Sequence, residues 1–121
     1  MASFIAALTL VAAVTQAADS TAPSLEEMAA YARNAYVECL NQAALHLEAS
    51  GETAGVVVDA AFTRCKDKRT DVRVVLMEHL RRNGVRDRDI PDRSEGALRR
   101  VDDILRPELV LAVTDARARK K

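Results

Sequence analysis

Four side chains in this sequence have the types that a metal centre or a disulfide needs: Cys39, His46, Cys65 and His79. Two thiolates with two imidazoles form a common zinc ligand set, and two cysteines alone suffice for a disulfide. If all four lie on helices, His46 is about 10 Å along the axis from Cys39, and His79 is about 21 Å from Cys65. Ligands at such different levels cannot all lie within about 2.3 Å of one ion. No metal site is therefore expected.

The spacing of the two cysteines instead favours a bond between them. They lie almost symmetrically about the turn signal Ser50-Gly51-Glu52, and in an antiparallel hairpin each would be about 18 Å along its helix from that turn. Each cysteine also lies on the apolar face of its segment. The sequence predicts a Cys39–Cys65 disulfide, with two reduced, buried cysteines as the alternative.

Helical periodicity defines the segments that carry these cysteines. Ser24 followed by Glu27 is a capping box, and apolar residues then recur at helical spacing as far as Ser50-Gly51. A second periodic segment runs from about 53 to 82, with a bend or break expected in the charged stretch 66–71. The predicted fold is all-α, with a disulfide-stapled antiparallel α-hairpin of residues 24–50 and 53–82.

The C-terminal third predicts two further helical segments. Residues 85–93 alternate in charge sign and are expected to form a solvated connection, after which Asp92 or Ser94 caps a helix. Pro107 should kink or break the helical segment. Beyond it, a widened apolar face is expected to be either core or an interaction surface for a partner: Leu109, Val110, Leu111 and Val113.

The N-terminus has the composition of a signal peptide. No charged side chain precedes Asp19, and the apolar run from Phe4 to Val14 is eleven residues long, shorter than the roughly 20 that span a bilayer. We expect residues 1–17 to be cleaved, leaving residues 18–121 as one periplasmic or secreted domain without an integral membrane segment. The alternative is an uncleaved hydrophobic N-terminal helix, either anchored or buried.

Charge is balanced overall but not along the chain. Residues 18–61 carry seven acidic side chains and one basic, whereas residues 62–121 carry eleven acidic and seventeen basic. The simplest interpretation is that the two halves pack together or solvate the surface; a basic patch for an anionic partner is the alternative. Nucleic acid is not an expected partner, because acids are interleaved with most of the arginines and no aromatic platform lies among them.

Signals for catalysis are weak. The chain has neither a G-x-S-x-G elbow nor a glycine-rich phosphate loop, and the neighbouring Asp102 and Asp103 should point apart on a helix. We therefore expect no enzymatic activity and no cofactor.

One stretch resembles a known group of proteins. The pattern resembles that of uncharacterised small exported helical proteins of GC-rich proteobacteria that have one cysteine pair. It consists of residues 36–40, Ala43, Ala44 and 60–65. The resemblance implies export and a helical fold, but no activity. In gross plan the chain is also similar to periplasmic acid-stress chaperones. The function expected is an exported, non-catalytic module that binds a protein or envelope component; an acid or stress chaperone is the first alternative, and a small enzyme the second. A homo-oligomer, the partner's identity and the specific function stay open.

Overall fold

The computed structural model describes residues 22–120, and in this part of the chain all regular structure is helical. Four α-helices follow one another: α1 (Leu25–Leu47), α2 (Ala54–Arg64), α3 (Lys66–Arg82) and α4 (Ile90–Arg119). Short 3₁₀ turns at Glu48–Ser50 and Asp87–Asp89 follow α1 and precede α4. The all-α prediction is confirmed. The predicted signal peptide, residues 1–17, lies outside the described residues.

Local capping explains where the first two helices begin and end. The Ser24 hydroxyl accepts a hydrogen bond from the Glu27 amide at 3.1 Å, so α1 begins where the capping box predicts. Gly51 has a φ of 82°, a left-handed conformation that glycine adopts without strain, and it ends the turn after α1. Thr53 then accepts from the Val56 amide and caps α2.

The predicted second helix is two helices, separated at Cys65. Cys65 has φ −97° and ψ 17°, outside the α-helical range, and it ends α2 and precedes α3. The interruption lies one residue before the charged stretch where a bend or break was expected. It leaves Cys65 buried against α1, while the polar start of α3 faces solvent.

The predicted division of the C-terminal third is wrong in two places. Helix α4 begins at Ile90 within the expected connection, because Pro91 lies in the first turn, where a missing amide costs little. Neither Asp92 nor Ser94 caps it; the buried Ser94 hydroxyl donates to the Pro91 carbonyl at 2.9 Å.

Helix α4 also continues through Pro107, so the predicted break there is wrong, whereas the predicted kink stays a prediction. An internal proline costs about 3 kcal/mol. Leu98 precedes it while Leu109 and Val113 follow it, and all three are buried in one core. Since full burial of each such side chain contributes about 1.5–3 kcal/mol, one continuous helix that buries all three outweighs the cost of the proline.

Helix α1 is the centre of the fold and packs against each of the other three helices. Its buried residues begin only at Ala32, so the first two turns of α1 contribute none. Among residues 22–120, no helix is both long enough and apolar enough to cross a membrane. The buried core combines small and branched side chains with one aromatic: Ala32, Tyr36, Leu40, Ala43, Ala44, Val57, Val58, Ala61, Cys65, Val72, Leu98, Leu109 and Val113.

Candidate functional site

The two cysteines form the predicted disulfide. Cys39 on α1 and Cys65 at the α2–α3 junction have Cα atoms 6.0 Å apart, within the usual range for a disulfide. His46 and His79 are both exposed, on α1 and α3, and do not join them. In the described part of the chain, no three Cys, His, Asp or Glu side chains form a group that could hold a metal ion. The disulfide therefore links α1 covalently to the α2–α3 junction.

The four residues weighed as an interaction surface on α4 belong largely to the core. Leu109 and Val113 are buried, and Val110 packs against the core cluster. Leu111 alone of the four is well exposed, at 60%. Helix α4 packs against α1, α2 and α3, and the buried part of this face is already covered by the chain itself.

A chain of polar side chains joins three helices beside the core. The Tyr36 hydroxyl on α1 donates to Asp102 Oδ1 on α4 at 2.7 Å, and Arg69 Nε on α3 donates to Asp102 Oδ2 at 2.9 Å. The same guanidinium donates through both terminal nitrogens to Glu95 on α4, at 3.0 and 3.3 Å. Arg73 also pairs with Glu95. Such bidentate, charge-assisted bonds are strong and geometrically specific.

The electrostatics of this network favour a structural role over proton transfer. Burial, and then the hydrogen bond to Asp102, raises the pKa of Tyr36 well above its usual value. The hydrogen bond to Glu95 raises the pKa of Arg69, and the same bond lowers the pKa of the Glu95 carboxyl. Tyr36 thus stays protonated and the Glu95 carboxylate stays charged near neutral pH. The sequence did not predict this network, because Tyr36, Arg69 and the two acidic residues of α4 are separated by 26 to 66 residues in the chain.

The basic C-terminus is partnered within the chain. Glu48, 6% exposed, forms an ion pair with Lys120, and Arg117 Nε donates to the Glu48 carbonyl at 2.9 Å. Asp59 on α2 pairs with Arg106 on α4. Two ion pairs thus join the acidic half to the basic half, as the simpler interpretation of the charge asymmetry expects.

Two open grooves flank the N-terminal half of α1. One lies between α1, α3 and α4 and has a volume of about 470 Å³. The other lies between α1 and α3, has a volume of about 610 Å³, and is called here the α1/α3 groove. Met28, Tyr31 and Val74 along it are 44%, 79% and 60% exposed. Its apolar lining comes from both helices: Met28, Tyr31, Ala32, Ala35, Val74 and Val75.

Among the described residues, α3 is the only helix that covers the first turns of α1 on this side, which leaves the groove open. Met28 has the helical spacing of the apolar residues of α1, yet it is nearly half exposed. A usable signal was present: Met28, Tyr31 and Ala35 recur at intervals of three and four, which defines a second apolar row beside the buried one. Which row is covered depends on the placement of α3, and periodicity alone does not give that.

Comparison with known proteins adds no assignment. No family model matches the chain, and neither curated proteins nor solved structures give a significant match.

Proposed function

We propose that this chain is an exported, non-catalytic helical module that binds an apolar segment of a protein or envelope component in the α1/α3 groove. The observation that carries the proposal is the cluster of three large, exposed apolar side chains, Met28, Tyr31 and Val74, along one groove. Contiguous apolar surface with polar edges on a folded protein is typical of an interaction site. The disulfide supports a location outside the cytosol, where such bonds persist.

The chemistry of the groove indicates what it can hold. Ala32 and Ala35 have small side chains, which let a partner backbone or side chain approach α1 closely. Glu27, Lys68 and Asp71 are exposed at the edges and offer polar contacts of both signs. An apolar core with polar edges is the arrangement expected for a groove that takes one face of an amphipathic segment.

A photo-crosslinking amino acid at position 31 tests this proposal, because Tyr31 is the most exposed of the three groove residues. The variant would be produced in an exporting cell, and the same amino acid at position 111 serves as the control on another face. We expect a discrete adduct from position 31 alone. After the cross-linked protein is identified and purified, Val74→Asp should weaken its binding about tenfold or more, which is at least about 1.4 kcal/mol.

The matched control is Leu111→Asp, since Leu111 and Val74 are both 60% exposed. Leu111→Asp should leave binding unchanged. Equal adducts from the two positions, or equal effects of the two substitutions, would refute binding in the groove.

An acid or stress chaperone is the second candidate, and the polar network is the observation that favours it. Glu95 and Asp102 hold α4 to Arg69 on α3 and Tyr36 on α1. Acid that protonates the Glu95 carboxylate removes the charge on which its pairs with Arg69 and Arg73 depend, so α4 is held less tightly and apolar core becomes accessible. This candidate requires suppression of client aggregation below about pH 4, near the ordinary carboxyl pKa. A protein that does not suppress aggregation there is not an acid chaperone.

A further inference from the structure

The α1/α3 groove opens where the described chain begins. Pro23, the second described residue, lines the groove, which then follows α1 as far as Ala35. Ala35 lies twelve residues beyond Pro23, a distance of about 18 Å at the α-helical rise. The preceding residues therefore join the molecule at one end of this groove.

The preceding residues contain a segment with matching chemistry. Phe4–Val14 carries no charged side chain, and residues 15–21 connect it to Ala22. Seven residues reach at most about 25 Å, so this connection can bring Val14 back over any part of the 18 Å groove. A short connection also gives an effective concentration on the order of mM, so a weak apolar affinity is enough for occupancy within one chain.

We infer that Phe4–Val14 occupies the α1/α3 groove while residues 1–17 remain attached, and that their removal opens the groove to its partner. The inference rests on the proposed function, because it concerns the same groove and names what regulates it. The segment and the partner compete for the side chains of Met28, Tyr31 and Val74. If the segment fills the groove in about nine molecules of ten, the apparent partner affinity falls about tenfold.

The chain has no tryptophan, so Phe4→Trp gives a single fluorescent reporter. Fluorescence is compared between the full-chain Phe4→Trp variant and the same variant carrying Val74→Asp or Leu111→Asp. Intact mass verifies that each protein retains Met1 and the disulfide. We expect blue-shifted emission and slow acrylamide quenching that do not change with protein concentration. Val74→Asp should shift emission to the red and raise quenching, whereas Leu111→Asp should change neither.

Met28→Asp repeats the measurement if Val74→Asp disturbs folding, as judged by the helical circular dichroism signal. Tryptophan emission typical of water, protection that disappears on dilution, or protection that no groove substitution changes would overturn the inference.

A second measurement separates this inference from the proposed function. The chain that begins at Ala18 retains every core residue of the described part, because these residues lie between Ala32 and Val113. Its affinity for the cross-linked partner should exceed that of the full chain about tenfold. Equal affinities would refute occupancy by the segment while leaving the groove a partner site. Tryptophan protection without any partner binding would refute the proposed function alone.

Discussion

Replacement of both Cys39 and Cys65 with alanine tests whether the disulfide is the main brace of this small core. The bond closes a loop with a sequence separation of 26 residues. On the chain-entropy model, loss of that constraint lowers the free energy of unfolding by about 3.5 kcal/mol, within the measured range of about 2–5 kcal/mol. Removal of the Cys65 sulfur, which is 1% exposed, also loses packing contacts and acts in the same direction.

The change in the thermal midpoint follows from the size of the domain. For about 100 residues, 1 kcal/mol corresponds to roughly 5 °C, so the double variant should unfold roughly 15–20 °C below the wild type. Circular dichroism at 222 nm measures the midpoint and, at low temperature, shows whether the four helices persist, which we expect.

The control for the disulfide experiment is a thiol reductant. It should lower the midpoint of the wild type to near that of the double variant and leave the variant unchanged. A double variant that unfolds within a few degrees of the wild type would refute the reasoning, because the loop would then contribute little to the entropy of the unfolded chain.

Three further predictions concern the polar network, acid and export. Tyr36→Phe should lower the free energy of unfolding in urea by about 1–2 kcal/mol, because Asp102 loses a buried donor. Tyr31→Phe, at a site 79% exposed, should leave that free energy unchanged. Equal effects of the two substitutions would contradict the network's role. Since the folded-state pKa of Glu95 lies below its unfolded value, the contribution of Glu95 to stability is present above about pH 4.3 and is lost as pH falls through the folded-state pKa. Glu95→Gln should therefore flatten the loss of stability in acid. An unchanged dependence of stability on pH would contradict this prediction. Secreted protein should begin at Ala18 with a mass two hydrogens below that of the reduced form, and retention of Met1 would contradict cleavage.

Features set by local chemistry were predictable from the sequence. The Ser24 cap and the Gly51 turn depend on neighbouring residues, and the structure confirms both. The Cys39–Cys65 pairing was also predictable, because helical rise fixes the level of each residue relative to a turn.

Features set by tertiary burial were not predictable in the same way. Proline propensity favours a break at Pro107, but Leu98, Leu109 and Val113 share one core, and their burial keeps α4 continuous. The same burial places Leu109 and Val113, on a face that the sequence left as either core or interaction surface, in the core. Conversely, Met28 has a core-like spacing yet is nearly half exposed, since among the described residues α3 covers that side of α1 only in part. Sequence periodicity identifies apolar rows, and helix placement decides which row a partner can contact.

The attachment of α4 to α1 has a consequence for the order in which the chain folds. The hydrogen bonds from Tyr36 to Asp102, from Arg117 to the Glu48 carbonyl and from Lys120 to the Glu48 carboxylate span 66, 69 and 72 residues. A chain that emerges N-terminus first can bring Cys39 to Cys65 while most of α4 is still missing, but it cannot make these contacts until Asp102, Arg117 and Lys120 have emerged in turn. Oxidation can therefore precede the docking of α4, and α4 closes the structure last. Because Lys120 belongs to these late contacts, a tag fused directly beside it would interfere with the docking of α4.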